Sequence, residues 1–346
     1  MLIIDGIIYS LQRHGGITVY FNELLRRIAA QGIDCRTFIY TDASEHAAAF
    51  ARKQEVRSPR LAERYRRCEV PADASVFHSS YYRLPNREIN TVTTVHDFTY
   101  EHFVNGPRRW LHSWQKFAVI RDSQAIICIS ENTRRDLLYF LPDIDPAQIH
   151  VIYNGVGEAF SPIAPAAATS ADRPYVLFVG ARDGYKHFSL VVAALAQLPD
   201  LGLVCVGGGP LQPEEKLLID KHLSKRFMHR LGVSEQELNV LYNEAYCLAY
   251  PSAYEGFGIP VLEAMRAGCP VVAVNGSSIP EVAGEAALLL TRPDVDELIH
   301  LIKQLESQEL RVTLRQRGFA QANRFSWQRT FEETLRLYKT VSDTPL

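Results

Sequence analysis

Short apolar runs alternate with amphipathic segments along most of the chain. MLIIDG at residues 1–6 is typical of a strand, and residues 15–32 follow a helical period with Tyr20, Leu24, Leu25 and Ile28 on one face and Gly32 as the stop. CRTFIY, SVFHSS, TVTTVHD and QAIICIS predict further strands. Because these runs are apolar and rich in β-branched residues, they suit strands buried on both faces of a parallel sheet.

The alternation of strand-like and helix-like segments is interrupted once. Residues 161–174, SPIAPAAATSADRP, are typical of a linker. The alternation then restarts with YVLFVG, GLVCVGGG, FMHRLG, CLAYPS, PVVAV and AALLL. We therefore predict an α/β fold of two doubly wound Rossmann-like domains, residues 1–160 and 161–327, facing each other across a cleft. The final helical stretch, 328–346, fits either domain, including packing back on the first.

Composition agrees with two globular domains. The 346 residues exceed one ordinary core, and 47% hydrophobic with 22% charged residues is typical of a soluble enzyme. A net charge of −2 gives no global attraction to nucleic acid. The start lacks the pattern of a secretory signal, and no run reaches the roughly 18 apolar residues of a membrane span. Six scattered cysteines without a Cys-x-x-Cys pair predict buried free thiols in a reducing cytoplasm.

The stretch AYEGFGIPVLEAM, residues 253–265, carries candidate chemistry. Pro260 suits the start of a helix spanning 259–267 with Gly268 as its cap, which leaves Glu255 in the preceding loop and Glu263 on the helix. A glycine-rich helix N-terminus suits a phosphate, and carboxylates beside it would bind hydroxyls instead. The pattern predicts a nucleotide-sugar site. The plain alternative is that both glutamates only favour a helix N-terminus by charge.

EGFGIPVLE resembles the Glu-x₇-Glu signature of retaining glycosyltransferases of family 4, which have the GT-B fold. Nearly the whole chain shares the likeness, through VIYNGV, FVGARDGYKHFSLVVAAL, RLGVSEQELNVLYNEAYCLAYPSAYEGFGIPVLEAM and FSWQRTFEETLRLY. HGGITVYFNELL and TTVHDFTYEHF are most similar to the bacterial mannosyltransferases that build O-polysaccharide.

The resemblance implies site residues. The catalytic set is Glu255, Arg182, Lys186 and His96, with the two cations on the donor diphosphate and His96 on the donor sugar. Solvated surface cations and a core histidine are the ordinary alternatives. The acceptor set is Asp97 and Tyr100. The donor-binding set is Gly16, Gly180, Arg182, Lys186, Gly209, Leu231, Val233, Glu255, Gly256, Phe257, Gly258, Ile259 and Glu263.

Asp143 and Asp145 form an Asp-x-Asp pair of the kind that holds a divalent cation in some glycosyltransferases. Their proline-flanked context instead favours a turn followed by a helix cap. We therefore expect no metal and no cofactor.

Two basic patches lie in the first domain. Residues 51–67 carry seven lysines and arginines, including Arg52, and residues 107–121 carry four basic side chains beside Trp110 and Trp114. Such patches suit an anionic membrane surface, although a solvated helix face and core tryptophans are the alternatives.

The predicted function is transfer of a hexose, with retention, onto a lipid-linked saccharide in bacterial O-antigen (lipopolysaccharide) synthesis, at the inner face of the membrane. The subgroup likeness implies GDP-mannose as donor, with GDP-rhamnose or a UDP-sugar as alternatives. A nucleotide-sugar epimerase or a glycogen-type phosphorylase is a further alternative, which the glutamate spacing and the length disfavour. A non-catalytic nucleotide-sugar-binding partner in a polysaccharide assembly complex is the alternative of another class.

Overall fold

The computed structural model describes residues 1–12, 15–40, 53–164, 173–182 and 184–342. The chain forms two compact units. The first unit comprises Met1–Gly155 and Trp327–Leu346, as far as these ranges are described, and the second comprises Val156–Ser326.

The first unit is built on a parallel sheet. Its seven strands have the order β3-β2-β1-β4-β5-β6-β7, and all neighbours are parallel. Apolar strand side chains are buried, as the runs of β-branched residues predicted. The strands are β1 (Leu2–Asp5), β2 (Cys35–Tyr40), β3 (Lys53–Arg57), β4 (Val76–Ser79), β5 (Asn90–Val95), β6 (Ala125–Cys128) and β7 (Ile149–Val151).

The helices of the first unit are α1 (Ile8–Leu11), α2 (Gly16–Ala30), α3 (Thr99–Phe103), α4 (Pro107–Arg121), α5 (Glu131–Phe140) and, after the second unit, α13 (Trp327–Val341). Helix α2 buries Tyr20, Leu24, Leu25 and Ile28, which confirms the predicted apolar face. Helix α13 belongs to this unit because Tyr338 lies within 2.5 Å of His78 of β4, and Thr330 donates a 2.7 Å hydrogen bond to the carbonyl of Tyr153.

The second unit repeats the architecture. Its six parallel strands have the order β10-β9-β8-β11-β12-β13. They are β8 (Tyr175–Val179), β9 (Gly202–Val206), β10 (Phe227–Arg230), β11 (Cys247–Tyr250), β12 (Val271–Val274) and β13 (Leu288–Leu290). Its helices are α6 (Phe188–Ala196), α7 (Pro213–His222), α8 (Glu235–Glu244), α9 (Ile259–Ala267), α10 (Ile279–Ala283), α11 (Val295–Gln304) and α12 (Gln308–Ala322).

Strand order gives the second unit a reversal point. The chain winds outward from β8 through β9 to β10, and then crosses to β11 on the other side of β8. The loops that follow β8 and β11 therefore diverge, and this reversal point is where open α/β sheets bind ligands.

Two segments differ from, or extend beyond, the expectations from sequence. Residues 53–57 of the basic patch form strand β3 instead of a helix face, while Arg52 lies outside the described residues. Residues 165–172 of the linker are also outside them, and Ile163 is held by a 2.8 Å hydrogen bond from its amide to Asn243 Oδ1. All six cysteines are buried and free, as predicted.

Candidate functional site

The reversal point of the second unit joins two predicted site residues. Lys186 ends a short 3₁₀ turn, Gly184–Lys186, after β8, and Glu255 lies in the loop after β11. Lys186 Nζ lies 2.7 Å from Glu255 Oε1, and the two side chains are only 12% and 13% exposed. The pair is therefore an ion pair in a largely dry recess rather than two solvated surface charges.

The loop that carries Glu255 is held in place by its neighbours. Glu255 donates its amide to Ser277 Oγ at 2.8 Å, and Ser278 Oγ donates to the carbonyls of Glu255 and Phe257, both at 2.9 Å. Ala253 donates its amide to the carbonyl of Tyr185 at 2.8 Å, which ties this loop to the loop of Lys186. The two serines were not singled out from sequence, because nothing local links them to a residue more than 20 positions away.

Helix α9 begins and ends where the sequence predicted. It runs from Ile259 to Ala267, and Gly258 and Gly268 flank it in left-handed conformations. At Gly258 the φ of +101° favours glycine, and a Cβ there would lie 2.8 Å from Ile279 Cδ1. The first amide groups of the helix lack partners within the helix, so the amide-rich, partly positive end faces the loop of Glu255.

Glu263 lies on α9 just beyond its first turn. Its Oε2 accepts a 2.9 Å hydrogen bond from the hydroxyl of Tyr242, a fully buried residue of α8. Burial raises the pKa of Glu263 to about 7; the hydrogen bond from Tyr242 lowers it, and the charge of Glu235 raises it. Tyr242 was missed from sequence because its partner is reached only through helix packing.

Arg182 follows β8, but its guanidinium is directed inward. The side chain is 2% exposed, and Nε lies 2.9 Å from Glu215 Oε1. Its other nitrogens donate to the carbonyls of the turn Gly207–Pro210, which includes the predicted donor residue Gly209. Gly180, immediately after β8, has a φ of +120°.

The remaining predicted donor residues of the second unit lie after β10 and at the start of α9. Leu231 is about half exposed directly after β10, and Val233 precedes Ser234, which caps α8. Phe257 is buried, and its ring lies 5.7 Å from that of Phe325. Any contact of Phe257 with a ligand would therefore come from its backbone.

Three predicted residues of the first unit share the carboxyl end of β5. His96 is buried against the ring of Tyr20, and its Nε2 has no hydrogen-bond partner among the described residues. Burial lowers the pKa of His96 to about 4, so the ring is neutral. The carboxylate of Asp97 accepts the amide of Thr99 at 2.9 Å, and Tyr100 stacks on His112 with centroids 4.0 Å apart. Gly16 is the first residue of α2.

Asp143 and Asp145 have structural partners. Asp143 Oδ2 lies 2.8 Å from Arg121 Nε, and Asp145 caps the 3₁₀ turn Pro146–Gln148 by accepting the amide of Ala147. Within the described ranges, no group of three or more histidine, cysteine, aspartate or glutamate residues is arranged to hold a metal ion.

Two family models match the chain in succession. The one described as "Glycosyltransferase Family 4" matches residues 14–160. The one described as "Glycosyl transferases group 1" matches residues 162–321. Between them they account for most of both sheets.

Two curated relatives align over most of their length. O-antigen chain mannosyltransferase B of Escherichia coli is 28% identical over 327 residues, covering 86% of this chain and 84% of that protein. Alpha-maltose-1-phosphate synthase of Mycobacterium tuberculosis (strain ATCC 25618 / H37Rv) is 26% identical over 386 residues, covering 96% of this chain and 97% of that protein.

Solved structures show the same fold. Sucrose-phosphate synthase of Thermosynechococcus elongatus superposes with a TM-score of 0.82 at 20% identity, covering 98% of each chain. HepE of Anabaena, solved in complex with UDP-glucose, superposes with a TM-score of 0.76 at 15% identity, covering 98% of this chain and 99% of that one.

Proposed function

The chain belongs to the GT-B glycosyltransferases, with a family 4 domain followed by a group 1 domain, and we propose that it transfers mannose from GDP-mannose to a lipid-linked saccharide of a bacterial surface polysaccharide. The observation that carries the proposal is the Lys186–Glu255 pair at the strand reversal of the second unit. The mannosyl assignment is supported by the likeness to O-antigen chain mannosyltransferase B.

Each side of this pair has a proposed role. Lys186 and the N-terminal amides of α9 bind the diphosphate, because both present positive charge to the same loop. Glu255 accepts hydrogen bonds from hydroxyls of the transferred sugar, and Glu263 accepts them from the ribose. The other predicted donor residues of the second unit, namely Gly180, Gly209, Leu231, Val233, Gly256, Phe257 and Ile259, shape the pocket mainly through their backbone. Gly16 of the first unit stays a proposed donor contact.

The predicted site residues of the first unit are proposed to contact sugars. Nε2 of His96 has no hydrogen-bond partner among the described residues, and the ring is neutral. This nitrogen can therefore form a hydrogen bond with a sugar hydroxyl while the imidazole stays uncharged. Asp97 and Tyr100 orient the acceptor, with Tyr100 offering a partly exposed ring on which a sugar can pack.

The proposed chemistry breaks the bond between the anomeric carbon and the leaving diphosphate and forms a bond from that carbon to the acceptor oxygen. Retention follows when the acceptor attacks the face from which the diphosphate leaves. The acceptor proton passes to a phosphate oxygen, so no protein base is consumed. Positive charge from Lys186 and the helix end stabilises the leaving group as it becomes more negative. No metal is assigned a role.

The acceptor is proposed to be lipid-linked because α4 presents an aromatic, basic face. Trp110 and Trp114 are 70% and 60% exposed, and Arg108 and Arg109 lie beside them. Among the described residues of patch 51–67, Arg57 and Arg60 are paired with Glu55, Glu63 and Glu69. Membrane contact is therefore assigned chiefly to residues 107–121.

No helix among the described residues has the length and apolar character of a membrane span. We place the reaction at the cytoplasmic face, where free cysteines persist.

The donor is tested by the thermal midpoint of the pure protein in excess EDTA with GDP, UDP, ADP or GDP-mannose. A ligand present at about 100 times its Kd stabilises by about 2.7 kcal/mol. A shift with GDP and GDP-mannose alone supports the proposal. A shift with UDP alone moves the donor to a UDP-sugar, as bound in HepE. A shift that needs Mn²⁺ or Mg²⁺ contradicts the metal-free assignment, and no shift with any of these ligands contradicts the proposed nucleotide-sugar site.

A further inference from the structure

Over residues 107–116, helix α4 buries polar side chains and exposes apolar ones. His112 and Lys116 are buried, whereas Trp110 and Trp114 are exposed. A surface helix ordinarily has the opposite distribution, with its apolar side chains facing the core. This part of α4 is therefore held to the first unit by polar contacts, and its outer face is the aromatic one.

We infer that Lys116 is a positioning residue, which ties residues 97–104 to α4 so that the seating of α4 on a membrane sets the position of the acceptor residues. Residues 97–104, the acceptor segment, contain the proposed acceptor residues Asp97 and Tyr100. The inference rests on the proposed function, because it joins the proposed membrane contact to the proposed acceptor site.

Lys116 is enclosed by the acceptor segment. The side chain is fully buried, and its Nζ donates a 2.5 Å hydrogen bond to the carbonyl of Asp97. The same nitrogen lies 3.1 Å from Glu101 Oε2 and 3.6 Å from the centroid of the Phe98 ring, over its face. One side chain of α4 thus contacts three residues of the acceptor segment.

Glu101 strengthens the link to α4. Its Oε1 accepts a 2.8 Å hydrogen bond from the hydroxyl of Ser113, one turn before Lys116 on the helix. Burial raises the pKa of Glu101, but the neighbouring His112, Lys116 and Ser113 outweigh burial and lower the pKa to about 2. The ionised carboxylate therefore binds two side chains of α4, and it would be a buried unpaired charge without Lys116.

The ring of Tyr100 is held by the same face of α4. It stacks on His112 with ring centroids 4.0 Å apart, and His112 Nε2 lies 3.1 Å from the hydroxyl of Tyr81, which follows β4. Gln115 donates a 2.8 Å hydrogen bond to the carbonyl of Tyr82 in the same loop. Because these contacts form a continuous network, a shift of α4 would move the acceptor segment with it.

The proposed membrane contact lies on the opposite face of α4. Trp110 and Trp114 are four positions apart, which places them on one face. His112 and Lys116 have the same spacing but are offset by two positions, a rotation of about 200° around the helix. Seating the tryptophans in a lipid interface restricts the movement of the helix. Lys116 passes that restriction to Asp97.

Hydrogen exchange tests the link without a substrate. Removing Lys116 alone would leave Glu101 unpaired, so the test variant is the double change Lys116→Met with Glu101→Gln, which removes both charges at similar volume. Exchange in residues 97–104 should become about tenfold faster, because the segment loses its anchor on α4. The amides of His102 and Val104 report this opening, since they are hydrogen-bonded within the segment.

The control variant is Arg121→Met, which removes an exposed cation of the same helix. It should leave exchange in residues 97–104 at the wild-type rate. Strands β4 and β6 should keep wild-type exchange in the double variant as well. Wild-type exchange in residues 97–104 of the double variant would overturn the inference, and so would faster exchange throughout the first unit, which indicates a general loss of stability.

Vesicles of phosphatidylethanolamine and phosphatidylglycerol test whether the restriction is transmitted. In the wild type they should slow exchange in both residues 107–121 and residues 97–104. In the double variant they should slow exchange in residues 107–121 only. Direct shielding by lipid would persist in the double variant, so equal slowing of residues 97–104 in both proteins contradicts a link through Lys116.

The same measurement separates the inference from the proposed function. Slowing of residues 107–121 without slowing of residues 97–104 in the wild type rejects the inference and leaves the membrane contact standing. No slowing of residues 107–121 in the wild type rejects the membrane contact that the proposed function assigns to α4, and the link to a membrane with it.

Discussion

Lys186 and Glu255 are 69 positions apart and form a 2.7 Å ion pair between Nζ and Oε1. The pair exists because β8 and β11, which precede the two loops, are parallel neighbours in the sheet. A cation and an anion that are predicted to bind opposite parts of one ligand therefore neutralise each other before that ligand arrives. We expect the donor diphosphate to compete with Glu255 for Lys186. Replacing Lys186 should therefore weaken GDP binding, whereas replacing Glu255 should not.

Replacing Lys186 with methionine should lower kcat/KM by about 10²–10³-fold, because the leaving diphosphate loses a preorganised cation. GDP affinity should fall as well. Radiolabelled transfer and GDP titration measure both effects. Lys303→Met, on the exposed face of α11, is the matched control and should be neutral. Wild-type turnover in Lys186→Met would remove this residue from the site.

Replacing Glu255 with glutamine should abolish most transfer while leaving GDP affinity unchanged or higher, because Lys186 is released from its partner. Isothermal titration with GDP and the transfer assay separate the two quantities. A Glu255→Ala protein that folds and still transfers sugar at the normal rate would show that this carboxylate does not hold the transferred sugar.

Glu263 should make the second unit less stable as pH rises. Its folded pKa of about 7 lies above the unfolded value near 4.5, so the folded state holds the extra proton in this window. The stabilisation is complete below about pH 4.5 and is lost as the pH rises through about 7, a difference on the order of 3 kcal/mol. Calorimetry at pH 5 and pH 8 should show that Glu263→Gln gains stability over the wild type at the higher pH. The exposed control Glu306→Gln should show no such pH-dependent gain.

The first unit should lose stability in acid. Burial lowers the pKa of His78 to about 3 and that of His96 to about 4. In the unfolded chain both histidines have a pKa near 6.5. As pH falls below about 6.5 the unfolded chain takes up protons that the folded unit excludes, at a cost on the order of 2 kcal/mol for each histidine. Tryptophan fluorescence reports this unit alone, since Trp110, Trp114 and Trp327 all belong to it. Denaturant titrations at pH 7 and pH 4.5 should show that His96→Asn loses less unfolding free energy in acid than the wild type does. An unchanged slope of unfolding free energy against pH would contradict a buried, neutral ring. The exposed control His300→Asn should leave the slope unaltered.

Exposed aromatic residues of α4 should control membrane binding. Trp110→Ser and Trp114→Ser should each weaken binding to vesicles of phosphatidylethanolamine and phosphatidylglycerol about tenfold, through lost apolar burial. Added salt should weaken the wild type further, because Arg108 and Arg109 act on anionic lipid. Leu217→Ser, an equally exposed apolar residue of the second unit, is the control. Equal vesicle binding by all variants would move membrane contact away from residues 107–121.

Local features of the chain could be predicted because their causes lie within a few residues. The apolar face of α2, the two parallel-sheet units and the limits of α9 between Gly258 and Gly268 follow from periodicity, strand composition and capping glycines. The order of Glu255, glycine turn and Glu263 also predicts a nucleotide-sugar site, since a helix start and its flanking carboxylates are adjacent in sequence, and that site stays a prediction.

Side-chain partners were decided by the tertiary structure alone. Arg182 was expected to be an open cation, yet it is enclosed by carbonyls from 25 to 28 positions away. Tyr242 reaches Glu263 only through the packing of α8 on α9. The basic residues of 53–67 were expected to form a basic surface. In the structure β3 pairs with β2, and Arg57 and Arg60 form ion pairs with glutamates of the same region. Sequence determined which groups are present and which local elements carry them. Strand order and helix packing determined which of those groups meet, because the free energy of a buried charge depends on partners that are distant along the chain.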